Sequence, residues 1–218
     1  LAEPGLALVA TPPRAPVGDV LLSEKFARLD DLPIGATVAT GSQRRRSQVL
    51  NRRPDLKLVE IRGNIDTRLR KLREQELDGL ILAQAGLERL GLSEHVREVL
   101  DPVWMLPAVG QGAIGIECRA DDADTIHWVE ALNDPTTWAA VQAERALLFA
   151  LGGGCSMPLG AYTTIRDEVL TLRAVVVSPD GTRRIVDTLS GPIHNPRDIG
   201  HELAARLKMA GAHEVLEG

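Results

Sequence analysis

Two cysteines, Cys118 and Cys155, are all that 218 residues contain. They are too few for the disulfide framework of a small secreted domain, and their spacing makes no metal-binding pair. Aromatic side chains are as scarce. Three Trp, two Phe and one Tyr leave little on which to stack nucleobases, which argues against single-strand or RNA recognition. Long apolar runs are missing: residues 147–151 and 174–177 fall far short of the roughly 18 residues of a membrane span. No charged-then-apolar leader is read at Leu1. The five histidines form no pair at metal-ligand spacing, and no nucleotide-binding glycine loop or Gly-x-Ser-x-Gly elbow occurs. Metal, ATP, dinucleotide and serine-hydrolase chemistries therefore have no support. The expectation is a soluble, cytoplasmic protein with no membrane and no nucleic-acid partner.

What the chain does have is apolar material, 44% of its residues, enough for one or two packed cores. Its net charge of −5 hides a basic segment. Residues 44–73 hold eleven Lys and Arg against three acids, Asp55, Glu60 and Asp66, and nine of the eleven are arginine. The planar guanidinium fork suits carboxylate or phosphate oxygens, so an anionic ligand is expected. Much of such a run can equally be solvated helix surface.

Hydrophobic patterning predicts strand, turn and helix three times over. Residues 36–40 make a β-branched strand entering Gly41 and Ser42, followed by a helix to Arg53 that Pro54 stops. Residues 57–61 make a second strand, Arg62-Gly-Asn64 a turn, and Ile65, Leu69 and Leu72 a helical stripe. Residues 78–83 make a third strand, with a short helix after it. This alternation implies βαβ units, a parallel sheet, and ligands at the carboxyl ends of its strands. The glycines of residues 108–117 mark an interdomain crossing. Asp134 and Pro135 open a helix that buries Trp138, Val141, Leu147 and Leu151. Three strand-like runs, the last two joined at Pro179-Asp-Gly181, predict an antiparallel meander, and the helix 196–210 covers it.

Cys155 follows Gly152-Gly-Gly154 on a loop that leaves its sulfur approachable. A thiol there can be a nucleophile or a covalent tether, although a lone cysteine is more often a small buried apolar residue. Cys118 is read as structural.

Six motifs taken in order resemble the hydroxymethylbilane synthase (porphobilinogen deaminase) family. They are Thr40-Gly-Ser-Gln-Arg-Arg45, Arg62-Gly-Asn-Ile-Asp-Thr-Arg68, Leu82-Ala-Gln-Ala-Gly-Leu-Glu-Arg-Leu-Gly91, Pro107-Ala-Val-Gly-Gln-Gly-Ala-Ile-Gly-Ile-Glu-Cys-Arg119, Ala143-Glu-Arg145 and Gly153-Gly-Cys-Ser-Met-Pro-Leu-Gly-Ala-Tyr162. The resemblance implies an α/β domain with a parallel or mixed sheet, like type II periplasmic binding proteins, and a small C-terminal α+β domain with an antiparallel three-stranded sheet. The implied division is residues 1–16 with 108–130 as a remnant of a first domain, 17–107 as a second, anion-binding domain, and 134–218 as a third.

The resemblance also implies a dipyrromethane cofactor attached through Cys155, with Thr40, Ser42, Arg44, Arg45, Arg62, Asn64, Arg68 and Gly86 around it, and Arg89 and Gln111 toward substrate. The implied reaction is head-to-tail condensation of four porphobilinogen molecules with loss of ammonia, giving hydroxymethylbilane for tetrapyrrole biosynthesis. Each porphobilinogen brings two carboxylates, which fits an arginine-rich site, and Arg46, Arg52, Arg53, Arg70 and Arg73 remain candidates for plain surface.

The family's catalytic aspartate lies in a Lys-Asp-x-Pro stretch, and that stretch is absent from these residues. The expectation is a chain lacking most of the first domain, inactive alone unless a complementing N-terminal segment is supplied, whereas the full-length form is expected to be monomeric. Gly41 and Gln43 stand where the family usually has Ser and Leu. The competing reading is a non-catalytic, periplasmic-binding-like module for a small polycarboxylate.

Overall fold

A computed structural model describes residues 4–153 and 157–217. In chain order the elements are β1 (Leu6–Ala10), β2 (Asp19–Leu22), β3 (Thr37–Ala39), α1 (Gln43–Arg52), β4 (Lys57–Val59), α2 (Ile65–Glu74), β5 (Gly79–Ala83), α3 (Gln84–Arg89) and β6 (Val96–Val99). After the crossing come β7 (Ile116–Arg119), α4 (Ala123–Glu130), α5 (Pro135–Ala150), β8 (Leu159–Arg166), β9 (Val169–Val177), β10 (Arg184–Pro192), α6 (Pro196–Met209) and α7 (Ala212–Glu217).

The central sheet runs β4-β3-β5-β2-β6. Its first three strands are parallel, as alternation with helices requires, but β2 lies antiparallel to both β5 and β6. The sheet is therefore mixed, as the parallel or mixed sheet of the expected fold allows: the βαβ units supply its parallel strands, and β2 with β6 adds the antiparallel part. Successive residues of β2 feed opposite cores. Leu21 joins Val38, Ile81 and Leu100 under Val49 of α1, while Val20 and Leu22 join Ala39, Leu80 and Leu82 under Leu72 of α2. Burial on both faces explains why these strands read as continuous apolar runs. Each fully buried leucine contributes about 2 kcal/mol.

The C-terminal sheet, β10-β9-β8, is the expected antiparallel meander. Asp134 caps α5 by accepting from Thr137 N at 2.7 Å, with Pro135 in the first turn. Of the side chains expected on its inner stripe, Val141, Leu147 and Leu151 are buried, whereas Trp138 stays half-buried. Helices α5, α6 and α7 cover one face of the sheet. Helix α6 presses close because Gly200 has no side chain: a Cβ there would stand 2.3 Å from Ala143 O. The other face packs Val175 and Val177 on Leu106 of the incoming connection. The third sheet is only β1 paired with β7, antiparallel. No helix among the described residues is long and apolar enough to cross a membrane.

Candidate functional site

Two strand-to-helix turns lie side by side at the carboxyl end of the central sheet. In the first, Thr40, Gly41 and Ser42 lead from β3 into α1, and the Ser42 side chain caps the helix by accepting from Arg45 N. In the second, residues 60–64 lead from β4 into α2, and Asn64 accepts from Thr67 N at 2.8 Å. Both helices aim unpaired N–H groups and partial positive charge outward, a setting that favours anions. The turns approach closely because Gly41 lacks a side chain: a Cβ there would meet Ile61 O at 2.7 Å.

Between them lies an open basin of about 610 Å³ lined by Thr40, Gly41, Ser42, Gln43, Arg46, Glu60 and Arg62. Arg46 is held by a bond from Nη1 to Leu58 O at 2.7 Å. Arg62 Nε donates to Glu60 Oε1 at 2.6 Å on an exposed surface. Arg68 Nε donates to Gly63 O at 2.8 Å. A second cavity, among Ser23, Arg73, His95 and Arg97, holds about 100 Å³. That is below the several hundred Å³ usual for small-molecule sites, so the basin is the candidate.

A buried charge cluster stands next to this end of the sheet. Asp19, the first residue of β2, is fully buried and accepts from Arg44 Nη1 at 2.6 Å, Arg45 Nε at 2.8 Å and Gln111 Nε2 at 3.0 Å. Gln111 Nε2 also donates to Val17 O at 2.6 Å, and its Oε1 accepts from Nη2 of Arg44 and of Arg45. Arg44 Nη1 reaches Leu106 O as well, at 2.6 Å, while its buried Nε has no described partner. Burial pushes the Asp19 carboxyl upward, but the two guanidinium charges and the hydrogen bonds from Arg44 and Gln111 outweigh it and hold the pKa below the ordinary value. Burial lowers the pKa of Arg45; Asp19 opposes this, and Arg44 and Arg68 add to it. Two cations against one anion leave this cluster one net positive charge.

The site residues expected from sequence thus fall into distinct places. Thr40, Ser42 and Arg62 line the basin. Arg68 lies beside it, its Nη2 within 4.0 Å of where a Gly41 Cβ would stand. Arg44, Arg45 and Gln111 are joined in the buried cluster. Asn64 is occupied as a helix cap. Gly86 lets α3 approach Ile65 at the start of α2, where a Cβ would touch Ile65 Cδ1 at 3.0 Å. Arg89 is exposed at the end of α3 and is not among the basin-lining residues. Cys155 lies outside the described residues.

Of the arginines read as surface, Arg52 pairs with Asp30 and lies over Trp104, Arg53 ties Asp55 to Leu29 O and Leu32 O, and Arg73 meets Glu24. Arg70 pairs with Glu74. Arg46 departs from that reading by lining the basin. No motif in the sequence marks Asp19 or Glu60, and Asp19 meets its two arginines 25 and 26 positions away.

This donor set, guanidinium, hydroxyl and helix N-terminus with little competing acid, fits a ligand bearing several carboxylates. Comparison with known proteins gives the family. A family model described as porphobilinogen deaminase, dipyromethane cofactor binding domain, matches residues 1–127, and one described as porphobilinogen deaminase, C-terminal domain, matches residues 138–209. The chain is 49% identical over 212 residues to a porphobilinogen deaminase of Desulforudis audaxviator, covering 97% of this chain and 69% of the relative. It is 46% identical to that of Nitrosomonas europaea, with the same coverage, and 48% identical over 217 residues to that of Halalkalibacterium halodurans, covering 99% and 69%. Among solved structures, a YaeC-family lipoprotein from Enterococcus faecalis aligns with a TM-score of 0.40 at 13% identity, over 59% of this chain and 62% of that one.

Proposed function

The chain belongs to the porphobilinogen deaminase family, and from that premise we propose that it serves as a hydroxymethylbilane synthase, its basin holding the carboxylates of porphobilinogen-derived pyrroles. The observation that carries this reading is the meeting of two helix N-termini with Thr40, Ser42, Arg46 and Arg62 in one basin. Thr40 and Ser42 offer hydroxyl donors, and Arg46 and Arg62 offer forks that bind carboxylates in pairs. Arg68 lies within reach of the same floor. The dipyrromethane cofactor, when bound through Cys155, supplies the pyrrole α-carbon to which substrate is joined.

What the described residues do toward this reaction is bind and orient. Holding two reacting pyrroles by their carboxylates converts a bimolecular step into a local one, and its worth depends on geometry. The family's aspartate stretch is not in this sequence, so proton transfer to the leaving ammonia is assigned to no residue here. Turnover in this reading requires a segment that carries that aspartate, in a cytoplasm whose glutathione and thioredoxin would keep the Cys155 thiol reduced and free to couple.

Two measurements test the reading. Intact mass of the denatured protein, with peptide mapping around Cys155, is expected to show a dipyrromethane-sized adduct where the protein was made beside a complementing segment; an unmodified thiol under that condition would overturn the cofactor assignment. Calorimetric titration with porphobilinogen is expected to show binding that Arg62→Gln weakens by about tenfold, the worth of one charge-assisted pair. Binding indifferent to Arg62 would move the ligand elsewhere.

A further inference from the structure

Taking the basin as the carboxylate site, we propose that Asp19 is a positioning residue that aims the Arg45 guanidinium at one ligand carboxylate. The inference rests on the functional reading above and adds a residue to it.

The geometry is that of a fork held by its back. Arg45 Nε is fixed by Asp19 Oδ1 at 2.8 Å, and Nη2 by Gln111 Oε1 at 3.4 Å. Nη1 takes part in no described hydrogen bond and is not among the shut-in polar atoms that lack partners. Arg44 is differently placed: Nη1 is shared between Asp19 and Leu106 O, and Nη2 meets Gln111. One buried carboxylate therefore neutralises one of two adjacent guanidinium charges and orients both. The Nη1 edge of Arg45 is thus the part of the pair left without a protein partner. Without such a counter-ion two buried like charges repel and swing apart. With it, the free edge of Arg45 is set before ligand arrives, and little rotamer freedom is left to lose on binding.

The same atoms tie this setting to the interdomain crossing. Gln111 sits on that crossing and donates to Val17 O and Asp19, so the two connecting stretches and the two arginines share one hydrogen-bonded knot. Neither sequence position nor residue type singles out Asp19 for this role. Its complete burial against three donors does.

The experiment uses the full chain with porphobilinogen and its two monoamides, each lacking one carboxylate charge, in calorimetric titrations. Wild-type protein is expected to prefer porphobilinogen over one monoamide by about tenfold. Asp19→Asn should collapse that preference to about twofold or less, because the carboxylate subsite it aims has lost its aim. Arg45→Gln should collapse it as well, and adding Asp19→Asn to Arg45→Gln should change nothing further, the signature of one residue acting through another.

A residue that merely stabilised the fold would lower all three affinities together and leave the ratio intact, and that result would overturn the proposal. Should Asp19→Asn fail to fold, Gln111→Met removes the second support of Arg45 without altering charge. It should reduce the ratio by about threefold in the same cycle with Arg45→Gln; an unchanged ratio there overturns the proposal equally. Wild-type protein that binds no porphobilinogen would overturn the functional reading and this inference with it. Wild-type binding with an undisturbed ratio in the variants would overturn this inference alone.

Discussion

The two turns that frame the basin are built alike and charged differently. Each runs strand, polar cap, ten-residue helix, and each places arginines close to the cap. At the first, Arg44 and Arg45 sit inside the protein on a shared carboxylate. At the second, Arg62 is 76% exposed and leans on Glu60, itself 63% exposed. An exposed arginine must give up about 2 kcal/mol of rotamer freedom to hold a ligand, whereas a buried, bonded one gave it up on folding. One turn therefore holds its arginines preset and the other leaves its arginine adaptable, a division suited to ligands that keep one end fixed while the other varies.

The comparison can be broken most severely at Asp19. Asp19→Asn strands two buried guanidiniums and should cost about 3 kcal/mol in urea unfolding. A loss no larger than that of a surface pair would mean the cluster is wetter than its burial implies.

Acid should act on the same point. The folded-state pKa of Asp19 lies below its ordinary value of 3.8, so its contribution is complete above the unfolded-state pKa, about 3.9, and is lost as pH falls through the folded value. Unfolding midpoints measured between pH 2 and 5 should fall more steeply for wild-type protein than for Asp19→Asn in that range.

Removing the caps sharpens the likeness of the two turns. Ser42→Ala and Asn64→Ala should each cost about 1 kcal/mol, read by thermal unfolding, with the larger effect at Asn64, whose bond to Thr67 N is 2.8 Å against 3.4 Å at Ser42. The smallest effect belongs to Glu60→Gln, expected to shift stability by about 0.5 kcal/mol or less while tightening porphobilinogen binding by freeing Arg62.

Much of this arrangement is legible from local pattern. A β-branched run ended by Gly41 and Ser42, or a helix opened by Asp134 and Pro135, states its structure within a few residues. The antiparallel pair β2 and β6 does not. Each is four residues long, and Val20 meets Val99 across 79 positions of chain, so nothing nearby announces the pairing. Asp19 was hidden for the same reason, its partners lying 25, 26 and 92 positions away. Arg46 was open to a finer reading. Consecutive helical residues point about 100° apart, so Arg44, Arg45 and Arg46 could not all share one environment, and the structure buries two and turns the third to the basin. Helix α7 follows Gly211 after too short a run to show a stripe of its own.

The crossing has a mechanical consequence. Two stretches of chain join the β1–β7 unit to the central sheet, and they run against each other: Ala15 N donates to Gly112 O at 3.0 Å and Arg14 Nε to Gln111 O at 2.9 Å. Gly112, at φ +79°, brings the backbones so close that a Cβ would stand 2.5 Å from Ala15 O. From beneath, the wholly buried Glu144 grips Arg14 through both oxygens and also accepts from Gly110 N at 2.7 Å. Two separate strings would let the small unit both bend and spin. Fastened along their length and seated on α5, they cannot be displaced separately without breaking these bonds, so the small unit hangs on one doubled connection.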